Sequence, residues 1–154
     1  MIRIVAAVIA LSFVAAARAE SLVPADLEGT WRMSAVSSNK YGCDIPGAMT
    51  VTFRRNPDGT LAGSYSSPGL AGPFEQSFVP VATMTSMLTE RDAAGRAMTL
   101  DAPKSLRRIL AVETEKGADG KPSKLEWSSI FGGFGEEPSP FDAFTPSAWL
   151  TRCP

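Results

Sequence analysis

From Leu27 to Arg152 the chain is written in short runs of Val, Thr, Phe, Tyr and Trp, each cut by Gly, Pro or Asp before it reaches helix length. No stretch sustains apolar residues at helical spacing. β-branched and aromatic side chains in runs of this size suit a pleated surface, and turn residues at close intervals supply hairpins. The pattern restricts the chain to an antiparallel barrel or sandwich.

The clearest unit is a hairpin over residues 49–66. Met49, Val51 and Phe53 alternate with Thr50, Thr52 and Arg54, which is the period of a half-buried strand. Asn56-Pro57-Asp58-Gly59 then turns the chain, because Pro presets one dihedral and Gly accepts a positive one, and Leu61 to Ser66 returns. Ahead of it, Leu27 to Val36 reads as a strand with Leu27, Gly29, Trp31, Met33 and Ala35 on one face. Ser67 to Pro73 reads as a Pro/Gly loop, and Phe74 to Thr89 as two short strands around Pro80. Asp92 to Gly95 turns into a strand at Arg96 to Leu100; Leu106 to Thr114 and Lys124 to Phe131 follow, separated by the Asp119-Gly120 turn. Gly132 to Pro146 mixes Gly and Pro with Phe134, Phe141 and Phe144, and Ala148 to Arg152 is a last strand. The expected fold is all-β: a small antiparallel up-and-down barrel of about eight strands, the size whose interior side chains just fill, with a sandwich second.

The first nineteen residues have the layout of a cleavable secretory signal. Arg3 precedes the apolar run Ile4 to Ala17, and Ala17-Arg18-Ala19 puts small residues at the two positions a signal peptidase reads, so cleavage is expected before Glu20. The run is short of the roughly 20 residues that span a bilayer, so no membrane span is expected in the mature form. Removing 19 of the 154 residues leaves 135, one ordinary domain over 20–154. Two of the 15 basic residues leave with the signal, so 13 face 16 acidic ones, a formal charge of −3. Arg54-Arg55 and Arg107-Arg108 are isolated doublets. A mildly acidic chain without a basic run is a poor partner for nucleic acid. The expected location is secreted or periplasmic, where two cysteines and no others pair, so Cys43 and Cys153 are expected to form one bridge.

Residue types leave little for catalysis. There is no histidine, which removes the commonest general base, the usual zinc ligand and every Ser-His triad. Ser37-Ser38-Asn39-Lys40 fits the S-x-x-K pattern, but that chemistry needs a helix start with companion motifs, and this match lies in a polar loop. Glu113 with Glu115, and Glu136 with Glu137, are carboxylate pairs of the kind glycoside hydrolysis uses, and each sits where solvated surface is the simpler account. Asp58 and Asp119 lack the ligand series of a calcium loop. The expectation is a protein that is not an enzyme, with no metal and no cofactor.

Leu27-Glu28-Gly29-Thr30-Trp31 resembles the opening of calycin barrels, the lipocalins and avidins, in which the tryptophan plugs one barrel end. The resemblance implies barrel closure by Trp31, with Arg152 packed across its ring as the late basic residue does in lipocalins, and Gly29 leaving room for the plug. Met49 to Phe53 followed by Asp58-Gly59-Thr60-Leu61-Ala62-Gly63-Ser64-Tyr65-Ser66-Ser67 looks like the early strands of a streptavidin-type barrel. Carried over, Ser37, Tyr65 and Ser67 would fall near positions that hold a ligand's ureido ring. Met33 stands where that family has a ligand-binding asparagine, so the resemblance, over roughly residues 27–67, implies the fold and not biotin. Ser21-Leu22-Val23-Pro24 ahead of Leu27 to Ser34 is also similar to bacterial periplasmic inhibitors of secreted zinc metalloproteases, small barrels whose N-terminal arm enters the protease cleft. That implies an inhibitory arm at residues 20–24. The leading functional expectation is a barrel mouth or cavity bounded by Ser37, Tyr65, Ser67, Trp127 and Phe134 of the 132–146 loop, receiving a small amphipathic ligand. Protease inhibition is the alternative, and a structural envelope protein the third.

Overall fold

The computed structural model describes residues 21–35, 42–45, 48–66, 74–83, 88, 95–132 and 147–154. A short helical turn, α1 (Pro24–Leu27), leads into eight strands: β1 (Gly29–Ala35), β2 (Met49–Arg55), β3 (Leu61–Ser66), β4 (Phe74–Val81), β5 (Ala97–Ala102), β6 (Arg107–Lys116), β7 (Pro122–Gly132) and β8 (Ser147–Arg152). Each strand pairs with the next, and β8 pairs back onto β1, so the sheet closes as an antiparallel up-and-down barrel. Closure leaves no sheet edge running the length of the molecule. Among the described residues no helix is long and apolar enough to cross a membrane.

The hairpin over 49–66 forms as its sequence dictates. Gly59 takes φ 84, its N–H donates to Asn56 O at 3.0 Å, and Asp58 Oδ1 accepts from both the backbone N–H and the hydroxyl of Thr60. Those bonds hold the Asp58 carboxyl below the usual carboxylate range, the side-chain bond most of all. The Gly117–Lys121 turn repeats the device: Gly120 has φ 78 and Asp119 Oδ1 accepts from the Lys121 N–H at 3.0 Å. Both aspartates do turn chemistry.

Alternation decides what fills the barrel. Met49, Val51 and Phe53 of β2, Leu61 and Tyr65 of β3, and Leu125 and Trp127 of β7 all belong to one buried cluster. Across the lumen the Phe53 and Trp127 rings stack at 5.4 Å, and Phe78 meets both edge-on at 5.8 and 5.5 Å. Gly63 makes this possible: a Cβ there would lie 2.9 Å from Phe78 Cε2 and 3.2 Å from Phe53 Cε1. The interior of an eight-stranded barrel is wide enough to be filled by side chains or to hold one small ligand; here the Phe53, Phe78 and Trp127 rings pack against one another inside it. A smaller cluster of Ala97, Leu110 and Val112 lies apart from it, with Leu88 packed against it.

Three expectations are corrected. Leu27 ends the α1 turn instead of opening β1, because Pro24 favours a helix start and Gly29, at φ 118, breaks the chain direction. Phe74 to Val81 is one strand with Pro80 inside it, opposite Leu100. The β4–β5 ladder has only three pairs there, so a missing N–H disturbs little. Leu106 does not begin β6; it adopts φ 52 after a 3-10 turn at Pro103–Ser105, and the strand starts at Arg107.

Candidate functional site

One end of the barrel is sealed around Trp31. The indole is fully buried and donates through Nε1 to Leu27 O at 2.7 Å. Arg152, paired with Trp31 in the β1–β8 ladder, lays its guanidinium 4.4 Å from the ring centroid. Its nitrogens donate to Glu28 O at 2.6 Å, to Pro122 O at 2.8 Å and to Asp26 O. The planar fork spreads its donors over three nitrogens, so each of these carbonyls is met by a different one. Burial lowers the Arg152 pKa from its ordinary value, with the charges of Asp119 and Asp26 opposing that shift. Glycine suits position 29 beside it, because the backbone there has φ 118 and a Cβ would sit 3.1 Å from Arg152 Nη1. Cys153 follows at once, bonded to Cys43 with the Cα atoms 5.6 Å apart, and its N–H donates to Thr30 O at 2.9 Å. The Cys43–Cys153 bridge is therefore present as expected, and Arg152 lies across the Trp31 ring.

The N-terminal segment is docked at this same end. Leu22 is 4% exposed, belongs to the main core cluster, and donates its N–H to Ala97 O at 3.0 Å, while Ser21 bridges Ala97. Asp26 accepts from the Val23 N–H at 2.9 Å and pairs with Arg96, which also holds Glu113 at 2.5 Å. Of Ser21, Leu22, Val23 and Pro24, only Val23 is a large apolar side chain left in solvent, at 51% exposure.

Tyr65 and Trp127 lie in the packed interior, 0% and 2% exposed, with Trp127 held between Phe53 and Phe78. Burial pushes the Tyr65 phenol well above its ordinary pKa. Neither residue offers a surface that a ligand in solution reaches. Ser37, Ser67 and Phe134 lie outside the described residues, as do Lys40, Glu136 and Glu137.

The end opposite the Trp31 seal includes the β5–β6 corner. A depression of about 350 Å³ is lined there by Asp101, Ala102, Pro103, Leu106, Arg107 and Arg108. Leu106 projects at 62% exposure from left-handed backbone, its N–H on Pro103 O at 3.3 Å. Leucine rarely adopts that conformation, and such residues concentrate where a side chain is being aimed. Arg107 shares the interior side of β6 with Ile109 and Ala111, because the extra residue of the β6–β7 register shift falls on β7. Its Nη1 donates to Ser129 Oγ at 3.3 Å. Arg108, on the opposite side, is clamped to Asp101 by bonds of 2.6 and 2.9 Å, which hold the Asp101 carboxyl below the usual range. A second depression of similar size, about 350 Å³, is lined by Glu28, Arg55, Asn56, Pro57 and Gly59 at the sealed end and is more polar.

The carboxylates weighed for catalysis have structural partners: Glu113 with Arg96, and Glu115 with Lys124 at 3.4 Å. Among the described residues no three His, Cys, Asp or Glu side chains gather as metal ligands. The β5–β6 corner was missed in the sequence. Its one visible signal is Leu106-Arg107-Arg108, an apolar residue and two cations just after a Pro-containing break. No protein-family model, no curated protein and no solved structure matches this chain, and its architecture rests on the strand pairing alone.

Proposed function

We propose that the protein is an exported, non-enzymatic binding domain that receives a small amphipathic ligand at the β5–β6 corner of the barrel. The carrying observation is Leu106: a large apolar side chain, 62% exposed, aimed over a 350 Å³ depression by backbone that leucine seldom adopts. Aromatic rings occupy the lumen behind it, so the ligand binds at the rim and not down the barrel axis. A rigid closed barrel suits that task, because the site is held without an ordering cost on binding. Native mass spectrometry of the protein expressed into a periplasm with its own leader tests the proposal. A retained small-molecule adduct that is lost in Leu106→Asp supports it; a protein that takes up no amphiphile at millimolar concentration overturns it.

A second reading, protease inhibition from the N-terminal segment, is favoured by Val23. It stands exposed between two anchored neighbours, Leu22 in the core and Asp26 in an ion pair, which is how a preorganised contact residue is presented. Deleting residues 20–24 is a poor test because Leu22 is core. Val23→Asp leaves the anchors intact, and inhibition of a secreted protease that survives this change sinks the reading.

A further inference from the structure

The depression beside Leu106 is bounded on one side by an ion pair that solvent reaches. Asp101 and Arg108 stand opposite each other in the β5–β6 ladder, and both line the depression. Arg108 Nε donates to Asp101 Oδ1 at 2.6 Å, and Nη2 donates to Oδ2 at 2.9 Å. A guanidinium has five N–H groups, and these bonds take one from Nε and one from Nη2. A carboxylate oxygen accepts more than one bond, and each Asp101 oxygen accepts one here. Neither side chain has another partner among the described residues, and Arg108 and Asp101 are 37% and 32% exposed. Nη2 therefore keeps a second N–H next to Oδ2, which keeps a spare lone pair. The bonds from Arg108 also hold the Asp101 carboxyl below its usual range, so it is an acceptor at neutral pH. Ala102, Pro103 and Leu106 supply apolar walls to the same depression.

Resting on the rim site proposed above, we propose that its ligand is a primary carboxamide with a short apolar tail. The amide oxygen accepts from Arg108, the amide N–H donates to Asp101, and the tail lies against Leu106, Pro103 and Ala102. A primary amide suits the pair because its carbonyl and one of its N–H groups lie on the same edge. A peptide bond does not, since its trans geometry sends N–H and C=O to opposite sides. Hydrogen bonds to charged groups are roughly twice as strong as neutral ones, which favours this head over a tertiary amide that can only accept. The 350 Å³ of the depression limits the tail to a small one.

The test titrates octanamide, N-methyloctanamide and N,N-dimethyloctanamide into the folded protein, reading affinity by calorimetry and contact by the Leu106 methyl resonances. Apolar transfer alone favours the methylated compounds, since each methyl adds apolar area. The opposite order is expected in wild type: all three shift the Leu106 methyls, and octanamide binds roughly fivefold more tightly than either of the others. Asp101→Ala is expected to abolish that preference. Should the variant fail to fold, the Asp101 carboxyl carbon resonance of wild type decides the pairing. It should move with octanamide and stay with the dimethyl amide, and a resonance unmoved by octanamide overturns the proposal. Equal or reversed affinities in wild type, with Leu106 still responding, overturn the carboxamide and leave the rim site standing. A preference shared by N-methyloctanamide overturns the primary amide in favour of a peptide-like one. A preference for octanamide that persists in Asp101→Ala overturns the role of Asp101. Leu106 methyls unmoved by all three compounds overturn both the carboxamide and the site it rests on.

Discussion

Replacing Arg152 by methionine keeps most of the apolar stem and removes the guanidinium that closes the barrel. Three carbonyls, Asp26 O, Glu28 O and Pro122 O, lose their donor, and the Trp31 face loses its cation. A hydrogen-bond acceptor left without its donor costs about 1–3 kcal/mol when buried. The site is partly buried, so water reaches some of these oxygens and about 1 kcal/mol each is the fitting figure. The lost cation–π contact adds about 0.5–1 kcal/mol. The total is about 4 kcal/mol, a large share of the stability of a domain this size. Urea denaturation of oxidised protein, followed by tryptophan fluorescence, reads it directly, and the intact disulfide keeps Cys153 in place during the comparison. Arg152→Lys should recover well under half of the loss, because a single ammonium cannot reach three carbonyls at separate positions. A methionine variant within about 1 kcal/mol of wild type would refute the reasoning, since the cap would then be held by Trp31 packing alone.

Three further outcomes are expected. Gly63→Ala should destabilise the fold by about 1–3 kcal/mol through overpacking against Phe78 and Phe53, and combining it with Phe78→Leu should recover part of that loss, measured as a double-mutant cycle. Cys43→Ser with Cys153→Ser opens a loop with a sequence separation of 110; its midpoint in urea should fall by an amount equivalent to at most about 4–5 kcal/mol in the chain-entropy treatment. Asp101→Asn should cost about 0.5 kcal/mol at neutral pH, as expected for a partly exposed pair. The Asp101 carboxyl is held below its ordinary value by Arg108, so its stabilisation is present above the unfolded carboxylate range and is lost as pH falls through the lowered folded value. The stability difference between wild type and variant should therefore vanish in acid, and a difference that persists there would refute the assignment.

Local chemistry made much of the barrel legible. The β2–β3 hairpin needed only alternation and a turn with Pro and Gly in the right places, and both act over a few residues. The contact of Arg152 with Trp31 was legible only through a resemblance, that of the Gly-Thr-Trp opening to calycin barrels. Pro80 was misjudged because a missing donor matters only where a ladder continues, and β4 meets β5 over three pairs. The proposed site was legible only in part. Tyr65 and Trp127 looked like cavity walls, since an aromatic residue on the inner face of a barrel reads the same whether the lumen is open or packed. Gly63 beside Phe53 and Phe78 settles that, and those positions belong to three different strands.

What the sequence by itself determined is the set of local choices: the alternation of β2 and β3, the turns at Gly59 and Gly120, and a pair of cysteines with no others to choose from. Tertiary structure alone decided that Leu22 is core and Val23 is surface, that Arg96 holds Asp26 and Glu113 together, and that Arg107 turns inward while Arg108 turns to Asp101. The reason is the period of two along a strand. It separates neighbouring residues to opposite faces, but which face becomes the interior depends on closing β8 against β1, a contact between the two ends of the sheet.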